Sequence, residues 1–158
     1  MPAAVADGNL LDAPDQFIAH QCNCVTGHAA GLAAALFSRF PHADVYSGRA
    51  AHDVPGTIRV RGGDGTADRP VIAIFGQVYP GKPRYPNSET DGADARERHF
   101  AAALGLIAGI PGITSVAFPW EIGCGMAGGN WTRYRAIIDR FADSNPGIRA
   151  TVYRLGKP

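Results

Sequence analysis

Glu121-Ile122-Gly123-Cys124-Gly125-Met126-Ala127-Gly128-Gly129-Asn130-Trp131 places four glycines in the seven positions from Gly123 to Gly129. An apolar strand candidate, Thr114 to Phe118, runs into this stretch. A helix candidate, Trp131 to Phe141, leaves it with Asn130 placed as N-cap. A simple strand-to-helix connection needs fewer glycines. A cradle of backbone N–H donors around a diphosphate uses them, because chain without Cβ atoms can approach an anion closely. The plainer alternative is a tight turn in which glycine only supplies positive φ. Gly123 to Gly128 also matches GxGxxG, but a dinucleotide-binding unit wants an acid about 20 positions on and further strands beyond. Here the next strand candidate carries Tyr153 and Arg154 and the sequence stops at Pro158.

A second loop of the same kind lies earlier. Phe17 to Cys22 reads as a strand, and His20-Gln21-Cys22-Asn23-Cys24-Val25-Thr26-Gly27-His28-Ala29-Ala30-Gly31-Leu32 carries it into a helix that stops before Pro41. Small residues and the first N–H groups of that helix again favour an anion. Asn23, at the strand end, can donate and accept at once, which suits a ribose diol. Further strand candidates are Ala3 to Ala6, Gly56 to Arg61, Val71 to Val78, apolar on both faces and expected to be central, and Ala150 to Leu155. Ala93 to Ile107 is a long helix candidate, and the proline-rich Tyr79 to Pro86 an exposed loop. Strands alternating with helices imply one α/β domain over residues 1–158, with ligands bound where loops leave the carboxyl ends of the strands.

The bulk composition narrows the classes. With 158 residues and 46% hydrophobic content, one core can form without a disulfide or metal staple. Fifteen Lys and Arg against fourteen Asp and Glu give no basic field, so direct binding to nucleic acid is not expected. Cys22, Cys24 and Cys124 form no disulfide framework, which points to a reducing, cytoplasmic setting. The first twenty residues carry three acids and no long apolar run, so no membrane segment is expected.

Taken together, these segments resemble the macrodomain family of ADP-ribose-binding modules over nearly the whole chain. The resemblance implies a three-layer α-β-α macrodomain with a mixed, largely parallel central sheet. Asp7-Gly8-Asn9-Leu10-Leu11 is similar to the family's early Gly-Asp-(Ile/Leu) segment, with Asn9 in place of the acid that contacts adenine. By this resemblance Asn9 and Leu10 hold adenine, Asn23 orients the distal ribose, and Cys22 lies beside it. Gly27, Ala29, Ala30, Gly31 and Leu32 close over that ribose and its phosphate. Gly123, Cys124, Gly125, Met126, Ala127, Gly128 and Gly129 wrap the diphosphate. Trp131 is a candidate wall or simple packing. The implied partners are ADP-ribose or a derivative and ADP-ribosylated macromolecules, and no cofactor is expected.

Two hydrolytic branches and one non-catalytic reading stay open. One de-ADP-ribosylating branch uses a lysine after a central strand, and Lys82 stands in that loop. The acid expected in the second glycine loop is Ala127 here, with Glu121 and Asp91 as nearby substitutes. His20-Gln21-Cys22-Asn23-Cys24 instead resembles the ADP-ribose 1″-phosphate phosphatase branch, with His20 or His28 as general base. His20 has an equally plain reading as a core histidine. The missing loop acid motivates a non-catalytic reader. A metal on His20, Cys22 and Cys24 is not expected, because alternate strand residues stand ~6.8 Å apart. Arg59, Arg61, Arg84, Arg96 and Arg98 raise a third class, an RNA- or poly-ADP-ribose-binding module, without a stacking platform to support it.

Overall fold

The computed structural model describes residues 2–155. Six strands form one sheet: β1 (Ala4–Asp7), β2 (Phe17–Asn23), β3 (Ile58–Arg61), β4 (Val71–Gln77), β5 (Ser115–Pro119) and β6 (Arg149–Arg154), in the order β1-β6-β5-β2-β4-β3. Every pairing is parallel except β3 against β4. The helices are α1 (Gly31–Arg39), α2 (Ala93–Ala108) and α3 (Trp131–Ser144). Strand β4 is interior, lying between β2 and the edge strand β3 rather than at the centre.

Side-chain alternation sorts the two faces. Along β4, Ile72 and Ile74 join Phe100 and Leu104 of α2, Tyr134 and Ile138 of α3 and Phe118 of β5 in one core. Val71, Ala73 and Phe75 point the other way, to Leu36 and Phe37 of α1, with Ile18 and Cys22 of β2. A strand covered on both faces must be apolar at consecutive positions, and all seven β4 residues are buried. The sheet is therefore the middle of three layers.

Element ends differ from the sequence expectations by one to three residues, for local reasons. Strand β3 begins at Ile58 rather than Gly56, because Gly56 donates to the Phe75 carbonyl from a left-handed conformation (φ +84°) that takes it out of the strand. Helix α3 runs on past Phe141 to Ser144, since nothing in Ala142-Asp143-Ser144 breaks it, and the Asn130 side chain caps its start by accepting from the Arg133 N–H. Two short 3-10 turns, Leu10–Asp12 and Pro41–Ala43, have too few residues to show a period.

Candidate functional site

The carboxyl ends of β2, β4 and β5 open onto a cleft of about 440 Å³, within the range of small-molecule sites. Its walls are the two glycine-bearing loops, residues 24–30 after β2 and 120–130 after β5. Its remaining side is the start of the β4 loop at Pro80 and Gly81. A depression of about 510 Å³ also lies between the outer faces of α2 and α3. It gathers no strand ends, and its Arg133 is occupied by Glu97.

Asn23 organises the first loop. Its carboxamide oxygen accepts from the Val25 N–H (3.0 Å), the Thr26 N–H (2.9 Å) and the Thr26 hydroxyl (3.1 Å). Its Nδ2 donates to the Tyr46 hydroxyl at 3.2 Å, leaving one Nδ2 hydrogen for a ligand. The donate-and-accept role expected from the sequence is thus halved. Tyr46 lines the cleft and is fixed from behind by the Arg49 guanidinium, 4.7 Å from its ring centre. Arg49 also donates to the Asn23 carbonyl and pairs with Asp53. The loop is therefore preformed.

Beyond Asn23 the first loop leaves donors unused. Ala30, the residue before α1, has no side chain that can cap the helix, so the N–H groups of its first turn, on the cleft-lining residues Gly31, Leu32 and Ala33, have no partner among the described residues. His28, Ala30, Gly31 and Leu32 line the wall, Ala29 packs inward against the α1-side core, and Gly27 lies exposed off the lining. In the second loop the N–H groups of Cys124, Gly128 and Gly129 bond within the loop. Those of Gly125, Met126 and Ala127 have no partner among the described residues. The two walls meet where the Met126 sulfur lies over Gly31, close enough that a Cβ there would stand 3.2 Å from it.

Gly123 to Ala127 line the cleft, whereas Gly128 and Gly129 sit behind and shape the loop. Lys82, just past Gly81, is exposed and lays its stem across Gly128, where a Cβ would come within 2.7 Å of the lysine Cγ. The lysine does not line the cleft, although its neighbour Gly81 does. Cys124 lines the wall with its thiol bonded to the Ile122 carbonyl and its pKa pushed up to about 12, chiefly by burial. Glu121 lines the mouth and is the one described non-glycine residue with positive φ, 60°. An acid held there against its backbone preference is a candidate for a functional role.

Several expected site residues are placed elsewhere. His20 is 1% exposed, edge-on to Phe37, and burial lowers its pKa to about 4. It does not line the cleft. Cys22 is buried beside it, its thiol pushed up to about 12 by burial. The side chains of these two lean together, bringing Cys22 Sγ within 3.7 Å of both His20 ring nitrogens, so Cα spacing alone does not separate them. Cys24 instead turns its thiol to the Gln77 carbonyl. Among the described residues no three His, Cys, Asp or Glu side chains come together as a metal site.

Asn9 is exposed with its side-chain oxygen capping the Leu11 N–H at 3.0 Å, and Leu10 is buried in the α1-side core. Neither lines the cleft. Trp131 stands behind the wall, 5.0 Å from Trp120, and Trp120 is the indole that lines it. Asp91 does not replace an acid at Ala127, because Arg96 and two backbone N–H groups take up its carboxylate. The arginines form no common face: Arg96 is buried, Arg59 pairs with Asp53 and Arg84 lies over Tyr85.

Sequence reasoning missed Gln21, Gln77, Tyr46 and Trp120 as lining residues. Gln21 donates to Gln77 at 2.7 Å, and Gln77 to the Tyr79 carbonyl at 2.9 Å, a chain across the ends of β2 and β4. A polar residue late in an otherwise apolar strand was the available signal for both glutamines.

No family model and no curated protein matches the chain. Among solved structures it is similar to the macrodomain of Mycobacterium tuberculosis DarG, at 21% identity and a TM-score of 0.76, covering 98% of each chain. The macrodomain of Thermus aquaticus DarG follows at 21% identity and 0.72, covering 96% of this chain and 97% of that one. A point mutant of an Oceanobacillus iheyensis macrodomain, solved with ADPR, matches at 14% identity and 0.61, covering 94% and 83%. These likenesses define the class: the chain has the macrodomain fold, a mixed and mostly parallel six-stranded sheet between helices. No described helix is long and apolar enough to cross a membrane.

Proposed function

We propose that the cleft binds ADP-ribose and that the protein hydrolyses an ADP-ribose derivative, either ADP-ribose 1″-phosphate or an ADP-ribosylated macromolecule. The observation that carries this reading is the pair of unused donor sets on the two walls. The N–H groups of Gly125, Met126 and Ala127 and those at the uncapped start of α1 line one cleft, and a diphosphate between them would satisfy both. Asn23 lies on the floor with one hydrogen left for a ribose hydroxyl, and the solved complex of a similar fold with ADPR supports the same ligand.

The attacking group in this reading is water or the Lys82 amine. His28 and Glu121 line the cleft and Lys82 follows the lining residue Gly81, so these three are the candidates to take a proton or hold the leaving group. His20 is left as a core residue. The reader alternative keeps one observation in its favour: Ala127 gives the second loop no acid.

Calorimetric titration with ADP-ribose, using ADP and NAD as competitors, tests the binding half. Selective binding of ADP-ribose, weakened tenfold or more by Asn23→Ala, is expected. Turnover of ADP-ribose 1″-phosphate and of ADP-ribosylated protein by Lys82→Ala, His28→Ala and Glu121→Gln tests the chemical half. Binding with no turnover of either substrate selects the reader.

A further inference from the structure

We propose that Arg96 is a positioning residue for the ribose end of the cleft, joining the β4 loop to the second glycine loop from beneath. Arg96 is 2% exposed on the first turns of α2 and does not line the cleft. Its Nη1 donates to the Gly81 carbonyl (2.7 Å) and to the Ala127 carbonyl (3.4 Å), and its Nη2 to the Tyr79 carbonyl (3.1 Å). Nε and Nη2 together grip the Asp91 carboxylate at 3.0 and 2.8 Å. Asp91 in turn accepts from the N–H groups of Val78 (2.6 Å) and Tyr79 (3.3 Å). One guanidinium thus fixes carbonyls on both loops.

A buried ion pair is a poor device for stability alone, since desolvation offsets much of its attraction. The fork geometry of arginine does something no apolar pair can: it sets the distance between three carbonyls on two separate segments. Drawing the Tyr79 and Gly81 carbonyls inward fixes the segment that leads into Lys82. Holding the Ala127 carbonyl fixes the end of the run whose N–H groups are free. The loops touch a second time where the Lys82 stem crosses Gly128. The Tyr79 and Gly81 carbonyls lie beyond β4, two strands from Trp120 at the end of β5, and the Ala127 carbonyl lies seven residues further along the β5 loop, so Arg96 acts at the end where the two loops meet and not at the Trp120 end.

The test separates those ends. The ligand arm rests on the ADP-ribose reading; the exchange arm does not. Arg96→Lys keeps the charge beside Asp91 but loses the fork. It is expected to weaken ADP-ribose binding tenfold or more, and to weaken ADP, which shares the diphosphate but lacks the second ribose, by a distinctly smaller factor. A general loosening of the fold would weaken both ligands alike, and that result overturns the proposal. Amide exchange is expected to quicken together at Tyr79 and Gly128 and to leave β2 and β5 unchanged. Unchanged exchange, or a change in one loop only, also overturns it. If the unaltered protein binds neither ligand, the ADP-ribose reading fails and the exchange result alone decides the role of Arg96. Should Arg96→Lys not fold, the neutral pair Asp91→Asn with Arg96→Gln takes the same measurements with the same expectations.

Discussion

His20 shows how far a residue's environment overrides its type. A histidine ahead of an Asn-bearing loop has the credentials of a general base, yet here it faces Phe37 and Cys22 and is held neutral, its pKa lowered by burial to about 4. The consequence for stability has a definite sign. An unfolded chain takes up a proton on this imidazole below about 6.5, whereas the folded chain resists until about 4. The contribution is therefore complete above pH 6.5 and lost as pH falls from 6.5 to 4, by up to about 3 kcal/mol at ~1.4 kcal/mol per unit. Urea unfolding at pH about 7.5 and about 4.5, either side of most of that window, should show a smaller loss in His20→Gln than in the unaltered protein. The variant's pH–activity profile should keep its shape. Burial of this kind is set by α1 folding back over β2, which no window of sequence around His20 displays. Asn23 was legible as a site residue because its type and its place at a strand end agree. That its oxygen would serve Val25 and Thr26 was not, since an Asx-type turn and a ligand contact call for the same residue.

Elements were easier to read than their ends. Strand β4 announced itself by unbroken apolarity, and α3 by its cap and spacing. Two of the four missed cleft residues come from segments with no periodic signal: Tyr46 from the stretch after the Pro41–Ala43 turn, and Trp120 from the first residue beyond β5. Helix α3 illustrates how an element's start serves the site. Asn130 closes the second glycine loop and caps the helix in one step, its side chain accepting from the Arg133 N–H at 3.2 Å. Asn130→Ala should cost about 1 kcal/mol, the usual value of a lost N-cap, measured as a lower urea midpoint. Because the donors from Gly125 to Ala127 hang from that cap, ADP-ribose affinity should fall with it. Unchanged affinity at reduced stability would show that the loop holds its shape without the cap.

At the scale of the whole molecule, the sheet order places β2, β4 and β5 side by side in the interior, so the three loops forming the cleft come from neighbouring strands. A ligand bridging them ties together segments that lie far apart in sequence. Bound at about a hundred times its Kd, it should stabilise the fold by about 2.7 kcal/mol. For a domain of this length that corresponds to a Tm rise of roughly 5–10 °C. Thermal denaturation with ADP-ribose present and absent measures this directly, and an unmoved Tm at saturating ligand would remove the cleft from consideration. The alternation of strands and helices made the three layers readable, and glycine density marked two of the three loops. The third loop was read as exposed and proline-rich, with Lys82 marked only through the family resemblance; its tie to the second glycine loop through Arg96 was not legible, because a lone arginine in a helix looks like any solvated one.

Trp120 and Trp131, side by side at the cleft wall, are the only two tryptophans in the sequence. All the indole emission of this sequence therefore originates at the cleft wall or just behind it, with none from a distant tryptophan. Occupancy of the cleft can be followed by intrinsic fluorescence on the unmodified chain, in real time and at concentrations too low for a calorimeter.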